Sequence, residues 1–175
     1  IDITYVDASA ISQIDFDGYY ADPEMRRYHH SGQNIRLNTD DSTWFMRVKE
    51  NGSYQSDGTD YMWYNTDSVG GATTDASDSE IEFGSPTATT GIDNTAASST
   101  FGFSIYLENP ANTTLDKMIH GTAWWRDANT GNYRPWAQRG TYIGATGAIT
   151  GTRFLPGSST ITSGRITLSG YRGVV

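Results

Sequence analysis

Apolar and polar residues alternate along most of the chain. Trp44, Met46 and Val48 fall on one side of an extended backbone, with Thr43, Phe45, Arg47 and Lys49 on the other. Phe101, Phe103, Ile105 and Leu107 alternate with Gly102, Ser104 and Tyr106, and Ile166 and Leu168 alternate with Arg165, Thr167 and Ser169. Successive side chains of a strand point to opposite faces, so a period of two predicts strands with one face buried. Shorter stretches with the same period lie at 3–5, 14–16, 28–37, 61–64, 81–83, 118–125, 133–143 and 149–155. No segment sustains the 3.6-residue stripe of an amphipathic helix. Residues 20–26 have room for one helical turn after Pro23 and nothing more.

Turn chemistry separates these stretches. Asn51-Gly52 predicts a two-residue hairpin, because both residues tolerate the positive φ such a turn needs. Residues 56–59, 129–132 and 156–159 read as further turns. Two Ser/Thr/Ala/Asp/Gly-rich stretches, 66–79 and 84–100, read as exposed loops around a short strand at 79–83. About ten short strands joined by Ser/Thr/Gly-rich loops predict an all-β fold. Its expected form is an antiparallel two-sheet β-sandwich, jelly-roll-like, in a single domain over residues 1–175. No fixed-period repeat is present, which argues against a propeller or solenoid.

Composition agrees and narrows the partners. Thr, Gly and Ser make up about a third of the 175 residues, and 18% are charged, whereas helical domains lean on Ala, Leu, Glu and Lys. Five Trp, eleven Tyr and six Phe supply the apolar mass that a disordered polar chain lacks. There is no cysteine, so disulfides, Cys-based metal sites and thiol nucleophiles are excluded. Twenty acids against twelve bases give a net charge of −8, which argues against nucleic acid and against adhesion to anionic membranes. The apolar runs are too short for a membrane-spanning helix. The start at Ile1 rather than Met fits an upstream anchoring segment.

The search for chemistry is mostly negative. His29 and His30 are neighbours, so a strand sends them to opposite faces, and no His-x-His or His-Glu-x-x-His spacing includes His120; no metal site is expected. Asp57, Asp60, Asp67, Asp75, Asp78, Glu80 and Glu82 read as turn and loop acids rather than as a glycosidase pair. Calcium in an acidic loop stays open as a minor alternative, but no EF-hand pattern occurs and no cofactor is expected. Gly-x-Ser-x-Gly, Walker and dinucleotide-binding glycine patterns are missing. Asn51 and Asn112 head glycosylation sequons. The segment 124–136 stands out. It carries Trp124, Trp125, Arg126, Tyr133, Arg134 and Trp136, a composition that suits ordinary core and rim packing, a subunit interface, or a sugar-binding surface. Adjacent Trp124 and Trp125 must face opposite ways.

The order of these motifs resembles the jelly-roll virion domains of tailed bacteriophages found in tail fibres, tail spikes and capsid-surface appendages. The resemblance runs through residues 12–17, the long strand at 28–37, Trp44 to Val48, and the hairpin Glu50-Asn51-Gly52-Ser53-Tyr54. It continues through Asp60 to Tyr64, the acidic strand at 80–83, and the Phe-Gly-Phe-Ser-Ile-Tyr-Leu strand at 101–107. It ends on Gly164-Arg165-Ile166-Thr167-Leu168-Ser169-Gly170. Ser169 stands where the family pattern has Tyr, the paired Trp124 and Trp125 are unusual, and no single binding motif carries over. The resemblance implies a non-enzymatic structural domain on the virion surface, a homotrimer in contact with other virion proteins and with host-surface glycans. A tail fibre or spike is the first expectation and a capsid-surface decoration or head fibre the second. The carbohydrate-binding module of a secreted enzyme is a further alternative, and a sandwich-fold lyase or hydrolase the weakest.

Overall fold

A computed structural model of the chain describes residues 3–6, 10–67, 72–83, 91–95 and 100–172. The fold is all-β, with thirteen strands and no helix among the described residues. The larger sheet has eight strands in the order β1 (Ile3–Val6), β13 (Ile161–Arg172), β3 (Met25–Leu37), β9 (Phe101–Glu108), β10 (Lys117–Arg126), β11 (Tyr133–Tyr142), β6 (Tyr61–Asp67) and β7 (Ala72–Asp78). The smaller sheet runs β2 (Ile14–Asp17), β12 (Ile149–Pro156), β4 (Trp44–Glu50). Two short strands, β5 (Ser53–Tyr54) and β8 (Ile81–Phe83), share the far edge of β4. Every pairing is antiparallel.

The alternation read from the sequence becomes the core. Trp44, Met46 and Val48 from the smaller sheet meet Phe101, Phe103, Ile105 and Leu107 from the larger, all of them buried. Phe103 stacks on Phe154 at 5.0 Å, and Trp44 lies 5.3 Å from Phe101. Burying each large apolar side chain contributes roughly 1.5–3 kcal/mol, and this is what holds two sheets face to face. The Asn51-Gly52 hairpin forms as expected, with φ of 50° and 84° between the partners Glu50 and Ser53. The stretch after Pro23 closes as a single turn, with Met25 N–H donating to the Asp22 carbonyl at 3.1 Å.

β3 is too long to keep strict alternation. Its pairing with β9 jumps from Gly32 to Ile35, and Asn34 sits at φ 52°. The bulge absorbs Gln33 and Asn34 on the exposed side, so that Tyr28, His30 and Gly32 before it, and Ile35 and Leu37 after it, all reach the core. Gly32 is required there, since a Cβ would fall 2.3 Å from Phe103 Cε1.

Two sequence expectations are corrected. Residues 66–79 are not an exposed loop: 72–78 form β7, the edge of the larger sheet, so Asp75 and Asp78 belong to a strand and Glu82 to β8. β7 needs no apolar period because β6 supplies its hydrogen bonds and no described strand pairs with its other edge. Asp78 accepts the Trp63 indole N–H at 2.9 Å, and acids on an open edge discourage further strand pairing. Within 84–100, Gly91, Ile92 and Asp93 are buried, and Ile92 bridges to both Ser42 and Asp127. The rest of that stretch lies outside the described residues, apart from 94, 95 and 100. With β5 and β7 added, the strand count exceeds the expected ten or so.

Polar groups enter the interior in pairs and networks. Tyr20 Oη lies 2.6 Å from both His30 Nε2 and Thr152 Oγ1, and His30 to Thr152 closes the triangle at 3.0 Å. Burial, and secondarily the nearby His29, pushes His30 down to about 3, so it is neutral in the fold. Lys117 is fully buried, and its ammonium donates to the carbonyls of Asn112, Leu115 (2.7 Å) and Thr146 (3.2 Å). It ties the loop before β10 to the loop before β12.

Candidate functional site

The sandwich has two outer faces, and they differ in kind. The outer face of the smaller sheet is closed by its own charges. Arg153 holds Asp15 through two 2.8 Å contacts and lies 3.8 Å over the Tyr54 ring. Lys49 and Tyr54 both bind Asp17, and Arg47 binds Glu80. The outer face of the larger sheet instead leaves Met62, Tyr64, Met118, Trp124, Tyr133 and Tyr171 exposed. Exposed large apolar groups gathered on one face are the informative exception on a protein surface.

Strand register sets these residues in rows. Ser169, His29, Tyr106, His120, Arg139, Tyr64 and Thr74 are successive cross-strand partners from β13 to β7. The neighbouring row is Thr167, Ser31, Ser104, Thr122, Ala137, Thr66 and Ala72, all small. Tall and small rows side by side make a groove of about 840 Å³ across β9, β10, β11, β6 and β7. Five strands at ~4.8 Å spacing give it a length of roughly 20 Å. Met62, Met118 and Tyr64 supply its apolar surface, and Ser104, Thr122, Arg139 and Thr141 its polar surface.

The tall row is internally braced. His29 stacks on Tyr106 at 4.5 Å and Tyr106 on His120 at 5.4 Å, with the Arg27 guanidinium 5.2 Å from the Tyr106 ring centre. Glu108 accepts from Arg27 at 2.6 Å and from His120 at 2.9 Å, and His29 Nε2 meets Ser104 Oγ at 2.8 Å. Partial burial pulls the His29 pKa below its usual value. His29, Tyr106 and His120 are each half-buried in this arrangement. The row is therefore a rigid rim of hydrogen-bonding groups beside an apolar trough.

The six residues of segment 124–136 divide. Trp124 and Tyr133 are exposed, at 42% and 67%. Trp125 and Trp136 are buried and pack on each other at 5.3 Å, so neither is open to a surface ligand. Arg126 holds Asp93 at 2.9 Å and Arg134 holds Asp127 at 2.6 Å, and both carboxylates are buried. The two arginines brace the loop after β10. The Tyr19-Tyr20 pair divides in the same manner, Tyr19 outward and Tyr20 fully buried. The groove residues Met62, Tyr64, Met118 and Arg139 were not singled out from the sequence. The one signal was that the outward phase of β6 and β10 carries Met and Tyr where Thr, Ser or Lys is usual.

The acids do not assemble into a metal centre: no group of three or more His, Cys, Asp or Glu among the described residues is arranged to hold an ion. Glu82 is pushed up to about 8 by burial, reinforced by Asp78, Glu80 and Asp75. Its proton is held more tightly in the folded than in the unfolded chain. The stabilisation is therefore full below about pH 4.5 and is lost as pH rises through 8. Glu82→Gln is expected to leave stability unchanged at pH 4.5 and to raise it by on the order of 2 kcal/mol at pH 9, measured by urea unfolding. Equal curves at pH 9 would show that Glu82 ionises freely.

No family model matches the chain, and no curated protein and no solved structure matches it.

Proposed function

We propose that this β-sandwich is a non-enzymatic attachment module that binds a surface glycan along the outer groove of its larger sheet. The observation that carries the reading is the groove itself. It is an open trough about 20 Å long, with Met62, Met118 and Tyr64 for the CH faces of sugars and a braced rim of Tyr106, His120 and Arg139 for their hydroxyls. The setting we propose is the bacteriophage virion surface, on a tail fibre or spike, as a homotrimer bound to other virion proteins. That setting rests on the resemblance in motif order together with the acidic, cysteine-free composition, which keeps a densely repeated particle protein dispersed.

A capsid-surface decoration would share the trimer, and the carbohydrate-binding module of a secreted enzyme would share the groove. Light scattering at several concentrations separates the virion settings from the secreted module. A mass of three chains, independent of concentration, is expected on the virion reading, and a monomer of 19.2 kDa would favour the secreted module. Tyr64→Ala and Arg139→Ala are expected to weaken glycan binding about tenfold each, roughly 1.4 kcal/mol, with unchanged melting. Binding that survives both substitutions would remove the groove as the site.

A further inference from the structure

One end of the outer face carries what the groove lacks, an indole lying flat. Trp124 is the cross-strand partner of Gly102 on β9. A Cβ at Gly102 would fall 2.4, 2.5 and 2.6 Å from Trp124 Cε2, Cζ2 and Nε1. The ring therefore rests on the glycine backbone with its other face to solvent. On the far side of Gly102 lies the bulge of β3, where Gln33 and Asn34 are inserted between the pairs Gly32–Phe103 and Ile35–Phe101. Both amides are exposed there. One strand further, Arg165 is the partner of Gln33 and is also exposed.

An open cation stands at this end. Arg27, Arg47, Arg126, Arg134 and Arg153 each hold a carboxylate. Arg165, like Arg26, Arg36 and Arg139, holds none among the described residues, in a chain of net charge −8. A guanidinium left open on an acidic protein fits an anion from outside. Arg165 stands two strands from Gly102, roughly 10 Å, a gap that one pyranose ring and the arginine's own reach can span.

We propose that Trp124, Gln33, Asn34 and Arg165 form a subsite for one carboxylate-bearing pyranose unit of a polysaccharide. The CH face of the ring stacks on the indole, the amides bind ring hydroxyls, and the guanidinium takes the carboxylate through paired hydrogen bonds. The proposal rests on the glycan-binding reading above and adds the sugar class and residues outside the groove.

The test is an array of neutral, uronate-bearing and sialate-bearing oligosaccharides. Titration of the best acidic hit and of its carboxyl-reduced form follows. Acidic glycans are expected to dominate, and reduction of the carboxylate to weaken binding at least tenfold. Trp124→Ala and Arg165→Gln should each do the same with unchanged melting. Gly102→Ala, whose methyl group displaces the indole without removing it, should match Trp124→Ala. Neutral glycans bound equally well, or acidic binding indifferent to these variants, would overturn the subsite and leave the groove reading standing. Binding to no glycan at all would overturn both.

Discussion

Trp125→Ala is expected to cost about 3–5 kcal/mol, while Trp124→Ala, one residue away, should cost no more than ~1 kcal/mol. Trp125 is fully buried and packs against Trp136 at 5.3 Å. Truncating it opens an indole-sized cavity between β10 and β11 that backbone ladders on both sides prevent from collapsing. For a domain whose whole stability is of order 5–15 kcal/mol, that loss brings the fold close to its threshold. Trp124 lies over Gly102 on the outer face and is 42% exposed, so its removal leaves no internal void. Urea unfolding of the two variants measures the contrast directly. The reverse order would mean that β10 is shifted by one residue, which would turn every side chain of that strand to the other face.

Acid is expected to remove the stability that neutral His30 contributes well before the surface carboxylates are all protonated. An unfolded chain protonates His30 near its ordinary 6.5, but the folded chain holds it neutral down to about 3. The folded pKa is depressed, so the proton favours the unfolded state. The His30 contribution is full above pH 6.5 and is lost at about 1.4 kcal/mol per pH unit as the pH falls, reaching ~3 kcal/mol by pH 4. Asp127 works in the same direction. Burial alone would raise its pKa, but the N–H groups of Thr130 and Asn129 and the Arg134 guanidinium outweigh burial and lower it. The stabilisation from Asp127 is lost only as pH falls below the usual carboxylate range, so between pH 5 and 6 the His30 loss is joined by that of His29, whose pKa is also lowered, and opposed by the gain from Glu82, whose pKa is raised.

His30→Gln is the direct check. Its absolute stability at pH 7 depends on how Tyr20 and Thr152 repartner, so the informative quantity is the slope. The variant should lose about 3 kcal/mol less than the parent between pH 7 and 4. Parallel slopes would mean that His30 already shares its proton with solvent. Glu82 penalises the alkaline side for the opposite reason, so stability is expected to be highest where the two windows overlap, between about pH 4.5 and 6.5.

Much of this architecture was legible in the order of residues. Strict alternation at Trp44 to Val48 and Phe101 to Leu107 names the core-facing side chains, because a strand's two faces are set by parity alone. Asn51-Gly52 names its hairpin, because few residue pairs accept two positive φ values. Parity also forced Trp124 and Trp125 apart, but not which of them lies inside. That depends on β10 sitting between β9 and β11, so that its inner face meets the other sheet.

What the sequence could not reach is whatever depends on neighbours far along the chain. β7 is a strand only because β6 offers a ladder, since ATTDASD has no apolar period to announce it. Arg126 and Arg134 sit among aromatics in sequence, as a sugar site would have them, yet each holds a buried carboxylate, Asp93 for the first and Asp127 for the second. The tall row from His29 to Tyr64 is assembled from five strands that are scattered along the chain between residues 29 and 139, and only register lines them up. By itself the sequence determined the class of fold, the inward faces and the tight turns, because those follow from local parity and backbone sterics. The tertiary structure alone decided which outward faces stay open, which charges are already paired, and that a flat indole and an exposed arginine share one end of the outer face, because those are properties of strands brought together from distant parts of the chain.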